Sequence, residues 1–325
     1  MNPETILVTG AGGFVGSALI PVLEQQGHRV RSVFRHPEIQ GGNPRCAEQW
    51  PCFLDITSVN IRWGSVLNDI EVVIHLAGLA HVNSRKGRQS FSRFRQVNVE
   101  STLRLARNAA RRGVKRFVYL SSAKVHGDCL PEGRPFSETD APAPGDAYAV
   151  SKWKAEQSLW KLAARSGMEV VVIRPPLIYG PGVKANFLRL LDVVHSGIPL
   201  PFAGVDNRRS FVSLDNVVGA VALCAVHEKA GGQTFLVADG KDLSTPELIR
   251  RLALAMGKRA MLFPVPASLA SAALLALGRR TTYDRLWGSL TVDADKIRRL
   301  LGWFPRVSVD DAIQQTVDWY LYDRR

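Results

Sequence analysis

Tyr148 and Lys152 stand four residues apart in Tyr-Ala-Val-Ser-Lys, within the helix-like stretch AYAVSKWKAEQSLWKLAARSG. On a helix, positions i and i+4 share a face, so a phenol and an ammonium project together. A phenol ionises near 10 in isolation, and a neighbouring ammonium stabilises phenolate and makes proton exchange feasible near neutrality. Ser122 ends the strand-like run before Ala123. A hydroxyl there can hold an oxygen in line while the phenol gives or takes its proton, which hydride transfer at a carbinol carbon requires. Gly10, Gly13 and Gly16 follow the first apolar run in G-x-x-G-x-x-G spacing and open a helical period. Such glycines let backbone N–H groups at a helix N-terminus approach a pyrophosphate. Each pattern is weak alone; together they describe dinucleotide-dependent redox chemistry.

These groups need a scaffold, and the chain alternates short β-branched runs with helical periods. TILVTG, HRVRSVF, EVVIHLAG, KRFVYLSS and MEVVVIRPP are separated by FVGSALIPVLEQQG, FRQVNVESTLRLARNAARRG and the Tyr148 stretch. That order predicts βαβ units and a doubly wound parallel sheet. Gly27, Gly113 and Gly167 each stand where a helix should stop before a strand. Beyond Arg174 the pattern changes: Pro175-Pro176, Gly180-Pro181-Gly182 and Pro199-Leu200-Pro201 surround one helix at Ala185 to His195. A strand at Ser210 to Ser213, a helix from Asp215, a strand near Thr234 to Val237 and helices near Thr245 to Met256, Asp293 to Leu301 and Val309 to Tyr320 complete it. The expected organisation is a dinucleotide-binding domain from 1–173 plus about 210–240, and a smaller, mostly helical substrate domain from about 174–209 plus 241–325.

Dinucleotide folds that take NAD place an acid at the end of the second strand, where it bonds the ribose hydroxyls and repels a 2′-phosphate. This strand ends in Phe34-Arg35 instead. A guanidinium fork suits a phosphate, so NADP(H) is favoured and NAD(H) remains possible. Asp55, where the third strand should end, is either an adenine-rim contact or a turn acceptor.

The 325 residues are 46% hydrophobic and 22% charged, which excludes disordered and fibrous classes. The net charge of +13 is scattered, without aromatic interleaving, so no nucleic-acid partner is expected. Cys46, Cys52, Cys129 and Cys224 form no C-x-x-C pair and the histidines lack ligand spacing, so no metal and a cytoplasmic setting are expected. Pro266 to Gly278 (PASLASAALLALG) is too short to span a bilayer and reads as a buried helix or as a membrane-surface or dimer contact.

The segments TGAGGFVG, HLAG at His75 to Gly78, VNVEST, LSSAKVHG, YAVSK, RPPLIYGPG and RRSFVSLDN resemble the extended short-chain dehydrogenase/reductase family, over nearly the whole chain. The resemblance implies a Rossmann fold and, in most members, a homodimer through the stretches near Ser92 to Arg112 and Ala147 to Arg165. It implies that Ser122, Tyr148 and Lys152 are catalytic, with Lys152 also on the cofactor ribose, and that Asn98 supports the active-site helix and a relay water. Phe14, Val15, Ile56, Leu76, Ala77, Gly78 and Pro175 fall at cofactor-lining positions, with Gly10, Gly13, Gly16, Arg35 and Asp55. Lys124, His126, Asn186, Arg209 and, more loosely, Arg285 fall at positions near the sugar or its diphosphate. Three departures stand out. Ala123-Lys124 replaces the Asp-Glu pair of dehydratases, Leu177 replaces a common asparagine, and His126 replaces a common tyrosine and is either sugar-facing or structural.

SSAKVHG, GPGVKANF and RRSFVSLDN look most like bacterial reductases of UDP-4-keto-6-deoxy-N-acetylhexosamines, which would yield UDP-QuiNAc or UDP-FucNAc for surface polysaccharide such as O-antigen. A UDP-hexose 4-epimerase with tightly held NAD uses the same triad and is the alternative; a non-catalytic dinucleotide sensor is the third reading.

Overall fold

Among the described residues, seven short apolar runs become the strands of one parallel sheet, in the order β3-β2-β1-β4-β5-β6-β9. They are β1 (Thr5–Thr9), β2 (Arg29–Phe34), β3 (Pro51–Phe53), β4 (Val72–His75), β5 (Arg116–Leu120), β6 (Glu169–Arg174) and β9 (Thr234–Leu236). The computed structural model describes residues 3–35, 51–58, 61, 63–80, 87–128, 134–266, 268–269, 271, 275 and 286–324. Arg285 and most of the 266–278 stretch lie outside them. β7 (Leu177–Tyr179) and β8 (Phe211–Ser213) pair as a separate parallel ribbon.

A parallel sheet must be covered on both faces, and the alternation of side chains along its strands meets that need. Ile6, Val8, Ile74, Val118 and Ile173 pack toward α1 (Phe14–Gln25) and α7 (Leu214–Val226). Leu7, Val73, Phe117, Tyr119 and Val172 pack toward α2 (Trp63–Val66), α4 (Ser101–Arg111) and α5 (Ala147–Ser166). Each fully buried aliphatic contributes about 1.5–3 kcal/mol. α5 stops where the sequence predicts: Gly167 sits at φ 72° and its N–H caps the Ala163 carbonyl.

α3 (Gly87–Phe94) passes through a π-helical turn, Arg95–Glu100, into α4. A third core joins β7 and β8 to α6 (Ala185–His195), α8 (Thr245–Ala255) and α10 (Val309–Asp318), through Tyr179, Phe187, Phe211, Leu252 and Ile313. The chain from 290 to 303 divides differently from the sequence expectation. Leu290, Val292, Ile297, Leu301 and Trp303, around α9 (Asp295–Leu301), pack into the α1–α7 core rather than the third one. α9 lies against the outermost strand β9, where Lys296 Nζ donates to the Thr234 carbonyl at 3.0 Å.

Strand order reverses between β1 and β4, where a doubly wound sheet opens a crevice at the strand C-termini. The glycine turn, Gly78, Ser122 and the start of α5 all lie at that end.

Candidate active site

The turn after β1 is built from backbone packed on backbone. A Cβ on Gly10 would stand 2.7 Å from the Ala77 nitrogen, and one on Gly16 would stand 2.2 Å from the Gly10 carbonyl oxygen. Gly10 adopts φ 75°, and its carbonyl accepts the Gly13 N–H at 2.9 Å. The turn delivers the chain into α1 with Gly13 as N-cap, no side-chain cap and no acid in the first turn. Helices α5, α7, α8 and α10 are closed by Asp146, Ser213, Ser244 and Ser308. An uncapped helix start at the switch point, with no side chain in the way, fits the pyrophosphate of a dinucleotide. Val15 is buried beneath it, and Phe14 reaches both the sheet core and the third core.

The second half of the crevice is built from side chains. Asp146 caps α5 by accepting the Ala149 N–H at 2.8 Å, which sets Tyr148 in the first turn and Lys152 one turn further on. Lys152 is 5% exposed; its Nζ donates to the Leu120 carbonyl at 2.7 Å and lies 4.5 Å from the centre of the Tyr119 ring. A Cβ on Gly78 would come within 3.3 Å of that Nζ and 3.4 Å of the Asn98 Oδ1, so glycine there makes room for both. Phe94 meets Tyr148 edge-on, with ring centroids 6.1 Å apart.

Burial pushes the Tyr148 phenol up to about 12; the Ser122 hydroxyl lowers it and the Asp146 carboxylate raises it. Burial draws Lys152 down to about 8, against the opposing pull of Glu156. Burial is thus the largest influence on the phenol in the protein itself, and Lys152 donates its hydrogen bond to Leu120.

Asn98 fixes this geometry from inside the π-helical turn, a distortion that recurs at functional sites. It is 1% exposed; its Nδ2 donates to the Leu79 carbonyl at 3.0 Å and the Ser151 Oγ at 2.9 Å, while its Oδ1 accepts the Leu79 N–H at 2.7 Å. Ser151 Oγ in turn donates to the Tyr148 carbonyl at 2.7 Å. Below Lys152, the fully buried Glu156 receives Ser121 and a forked contact from Arg174 at 2.5 and 3.2 Å. Removing either member of such a buried pair costs about 3–5 kcal/mol.

The remaining expected residues are placed unevenly. Leu76 packs against the α1–α7 core, Ile56 against the α4–α5 core, and the Pro175 carbonyl receives the Ala123 N–H at 2.8 Å. Asp55 is exposed and serves as a turn acceptor, with Oδ1 bonded to the Thr57 N–H at 3.0 Å and the Thr57 hydroxyl at 2.7 Å. Arg35 is exposed beyond β2. His126 is 2% exposed, stacked on Phe136 at 5.3 Å, with Nε2 2.9 Å from Arg174, contacts that a structural role would make. Lys124 is engaged by Asp128 and Asp146. Asn186 is exposed in the first turn of α6, after Ala185 at φ 57°, and Arg209 donates to the Gly288 carbonyl at 2.9 Å. A cavity of about 400 Å³ between Arg134, Asp242 and Arg298 shares no residue with this cluster.

Tyr119, Ser151, Glu156 and Asp146 escaped the sequence reading. Glu156 alone left a signal, an acid one turn beyond Lys152 on the inward face of the same helix.

Residues 6–238 match the family model described as the NAD dependent epimerase/dehydratase family. The chain is 39% identical over 323 residues to a UDP-glucose 4-epimerase of Vibrio cholerae, covering 98% of this chain and 96% of that one. Among solved structures, MoeE5 in complex with UDP-glucose and NAD has a TM-score of 0.78 at 27% identity, over 99% of this chain and 100% of that one. A UDP-glucuronic acid 4-epimerase from Bacillus cereus in complex with NAD shares the fold, with a TM-score of 0.80 at 22% identity over 99% and 100%.

Proposed function

We propose that this chain, which belongs to the NAD dependent epimerase/dehydratase family, inverts the C4 carbon of a UDP-hexose. The observation that carries the reading is the likeness to a UDP-glucose 4-epimerase along almost the full length of both chains, in a molecule that keeps Ser122, Tyr148 and Lys152 at the crevice. The uncapped α1 start and the Gly10, Gly13 and Gly16 turn would hold NAD, as in the solved relative that binds it. Bound NAD would supply a hydride acceptor and donor at the sugar carbon.

The chain's own residues handle the oxygen. Ser122 and Tyr148 bracket the C4 hydroxyl; Tyr148, acting as its phenolate, takes the hydroxyl proton as the carbon is oxidised and returns it from the phenol on reduction. Lys152, held between the Leu120 carbonyl and the Tyr119 ring, keeps a positive charge beside the site below about pH 8. Asn186 and Arg209, near the start of α6 and in the segment leading to β8, are the proposed diphosphate contacts. A cytoplasmic homodimer through α4 and α5 completes the proposal.

Arg35 supports the second reading, in which NADPH is consumed to reduce a UDP-4-keto-6-deoxy-N-acetylhexosamine. One experiment separates them. Purified protein is given UDP-glucose or UDP-N-acetylglucosamine without reductant, and separately NADPH with the 4-keto-6-deoxy sugar. The C4 epimer formed with no net change in nicotinamide absorbance is the expected result. NADPH loss confined to the keto-sugar would move the assignment to the reductase, and neither outcome would overturn both.

A further inference from the structure

We propose that Lys124 is a positioning residue for proton transfer: its ion pair with Asp146 ties the turn behind Ser122 to the start of α5 and partly offsets the carboxylate that begins the Tyr148 helix. The inference rests on the reading of Ser122 and Tyr148 as the oxygen-handling pair.

The contacts form one chain across the site. Lys124 lies in the 3₁₀ turn Ala123–His126, and its backbone N–H donates to the Ser122 Oγ at 3.3 Å. Its side chain, 24% exposed, pairs with Asp146 and with Asp128 at 3.1 Å. Asp146 divides its two oxygens. Oδ2 takes the ammonium, while Oδ1 caps the Ala149 N–H at 2.8 Å, one residue past Tyr148. Gly145 admits Asp128 to the group, because a Cβ there would stand 2.8 Å from its Oδ2. One lysine thus clamps the element that carries the serine to the element that carries the tyrosine.

The clamp also has an electrostatic side. The groups facing Tyr148 are Asp146 and Lys152 on its own helix, Ser122 and Tyr119 from the end of β5, and the uncharged Phe94 from α3. Asp146 is the acid among them, and a carboxylate beside a phenol favours the protonated form. Lys124, paired to that carboxylate, offsets it. An aspartate at this N-cap adds to the burial that already holds the proton on the phenol; a lysine behind it lets the chain keep a strong cap at a smaller cost to the acid/base.

Three variants test this: Lys124→Met, Lys124→Arg and Asp146→Asn, the last retaining a good N-cap residue. Lys124→Met should lower kcat about tenfold at pH 7 and move the limb of the pH–rate profile that reports Tyr148 up by about one pH unit. KM for the nucleotide sugar should stay within about twofold. Lys124→Arg should restore the limb, and Asp146→Asn should move it down. A second readout needs no turnover: phenolate absorbance is titrated in the free protein with and without Asp146→Asn, each against its Tyr148→Phe counterpart. The Tyr148 midpoint should fall in the Asn variant. Limbs and midpoints unmoved in all three variants, or displaced in the same direction by Lys124→Met and Asp146→Asn, would overturn the proposal. A wild-type protein that turns over no nucleotide sugar defeats the functional reading alone, since the titration still decides the role of the pair.

Discussion

Two helices begin at the same crevice, α1 and α5, and they are made in opposite ways. α1 starts on Gly13 with no side-chain cap, its turn so tight that Gly16 has no space for a methyl group. α5 starts on a carboxylate that caps it and is itself paired with a lysine, and its inward face carries Lys152 and Glu156. On the proposed function the first helix binds by omission: backbone N–H groups are left open for an anion, and any added atom is a loss. The second would work by commission, burying charged groups whose desolvation is the cost of having chemistry there. Substitutions should therefore separate binding from turnover according to which helix they touch.

The largest effect belongs to the side-chain half. Tyr148→Phe removes the proposed acid/base hydroxyl and its bond to Ser122 while keeping the ring, so turnover should fall by about 10³–10⁴ while dinucleotide affinity stays within about twofold. Steady-state kinetics beside a fluorescence titration of cofactor checks both. Loss of affinity in parallel with rate would mean that the two halves are not separate.

Lys152→Met sharpens the same point by giving stability and activity opposite signs. Turnover should fall about 10²-fold. The native ammonium is drawn down to about 8 by burial, so the folded protein is disfavoured relative to an unfolded chain that holds its proton more tightly. Replacing it with an apolar side chain of like shape should stabilise the protein by roughly 1–2 kcal/mol at pH 7, after the loss of the Leu120 hydrogen bond. Wild-type stability rises with pH between about 8 and the ordinary lysine value, because the native state sheds the proton first. The advantage of the variant is thus full below pH 8 and shrinks above it, which urea melts at pH 7 and pH 9.5 would reveal.

How much of this was legible in the chain follows the same division. The backbone-built half could be read directly: spacing at Gly10, Gly13 and Gly16, β1 at Thr5–Thr9 and α6 at Ala185–His195 all stand where periodicity and glycine chemistry put them. The apolar period of a strand and the glycines of a turn are short-range patterns, legible even though the strand pairing they serve is long-range, as between Ile6 and Val72. The side-chain half was legible only as residue types. That Asn98 would join Leu79 to Ser151, or Lys124 join Asp146, depends on contacts between segments brought together by the whole fold. His126 illustrates the limit, since its sequence position is compatible with a sugar contact or with the Arg174 contact it makes. Tyr148 illustrates it for charge: proximity to Lys152 was evident, but the desolvation that pushes the phenol up to about 12 is a property of the packed interior.

Gly16→Ala probes the backbone-built half with the smallest possible addition. The new methyl would lie 2.2 Å from the Gly10 carbonyl oxygen, so the turn must open. Dinucleotide affinity should weaken about 10²-fold, near 3 kcal/mol in binding by the usual conversion. Forcing an extra carbon into tight packing should also lower stability by about 1–3 kcal/mol. The rate at saturating cofactor should change by less than about threefold, the mirror image of Tyr148→Phe. A rate loss that saturation cannot repair would show that the turn also orients the reacting atoms.

The smallest effect comes from making the same change in both helices. Ser17 and Ser151 each return a hydroxyl to their own helix, Ser17 to the Gly13 carbonyl at 2.9 Å and Ser151 to the Tyr148 carbonyl at 2.7 Å. Ser17 is exposed, so water replaces its hydroxyl and Ser17→Ala should shift stability by less than about 0.5 kcal/mol. Ser151 is buried and also accepts the Asn98 amide at 2.9 Å, so Ser151→Ala leaves that donor one partner short at a cost of about 1 kcal/mol. Asn98 keeps Leu79, so the helix should hold its place and turnover should fall only about fivefold, with dinucleotide affinity unchanged. Equal consequences from the two alanines, in melting temperature and in kcat, would erase the distinction between the helix that works by leaving its backbone bare and the helix that works by what its side chains hold.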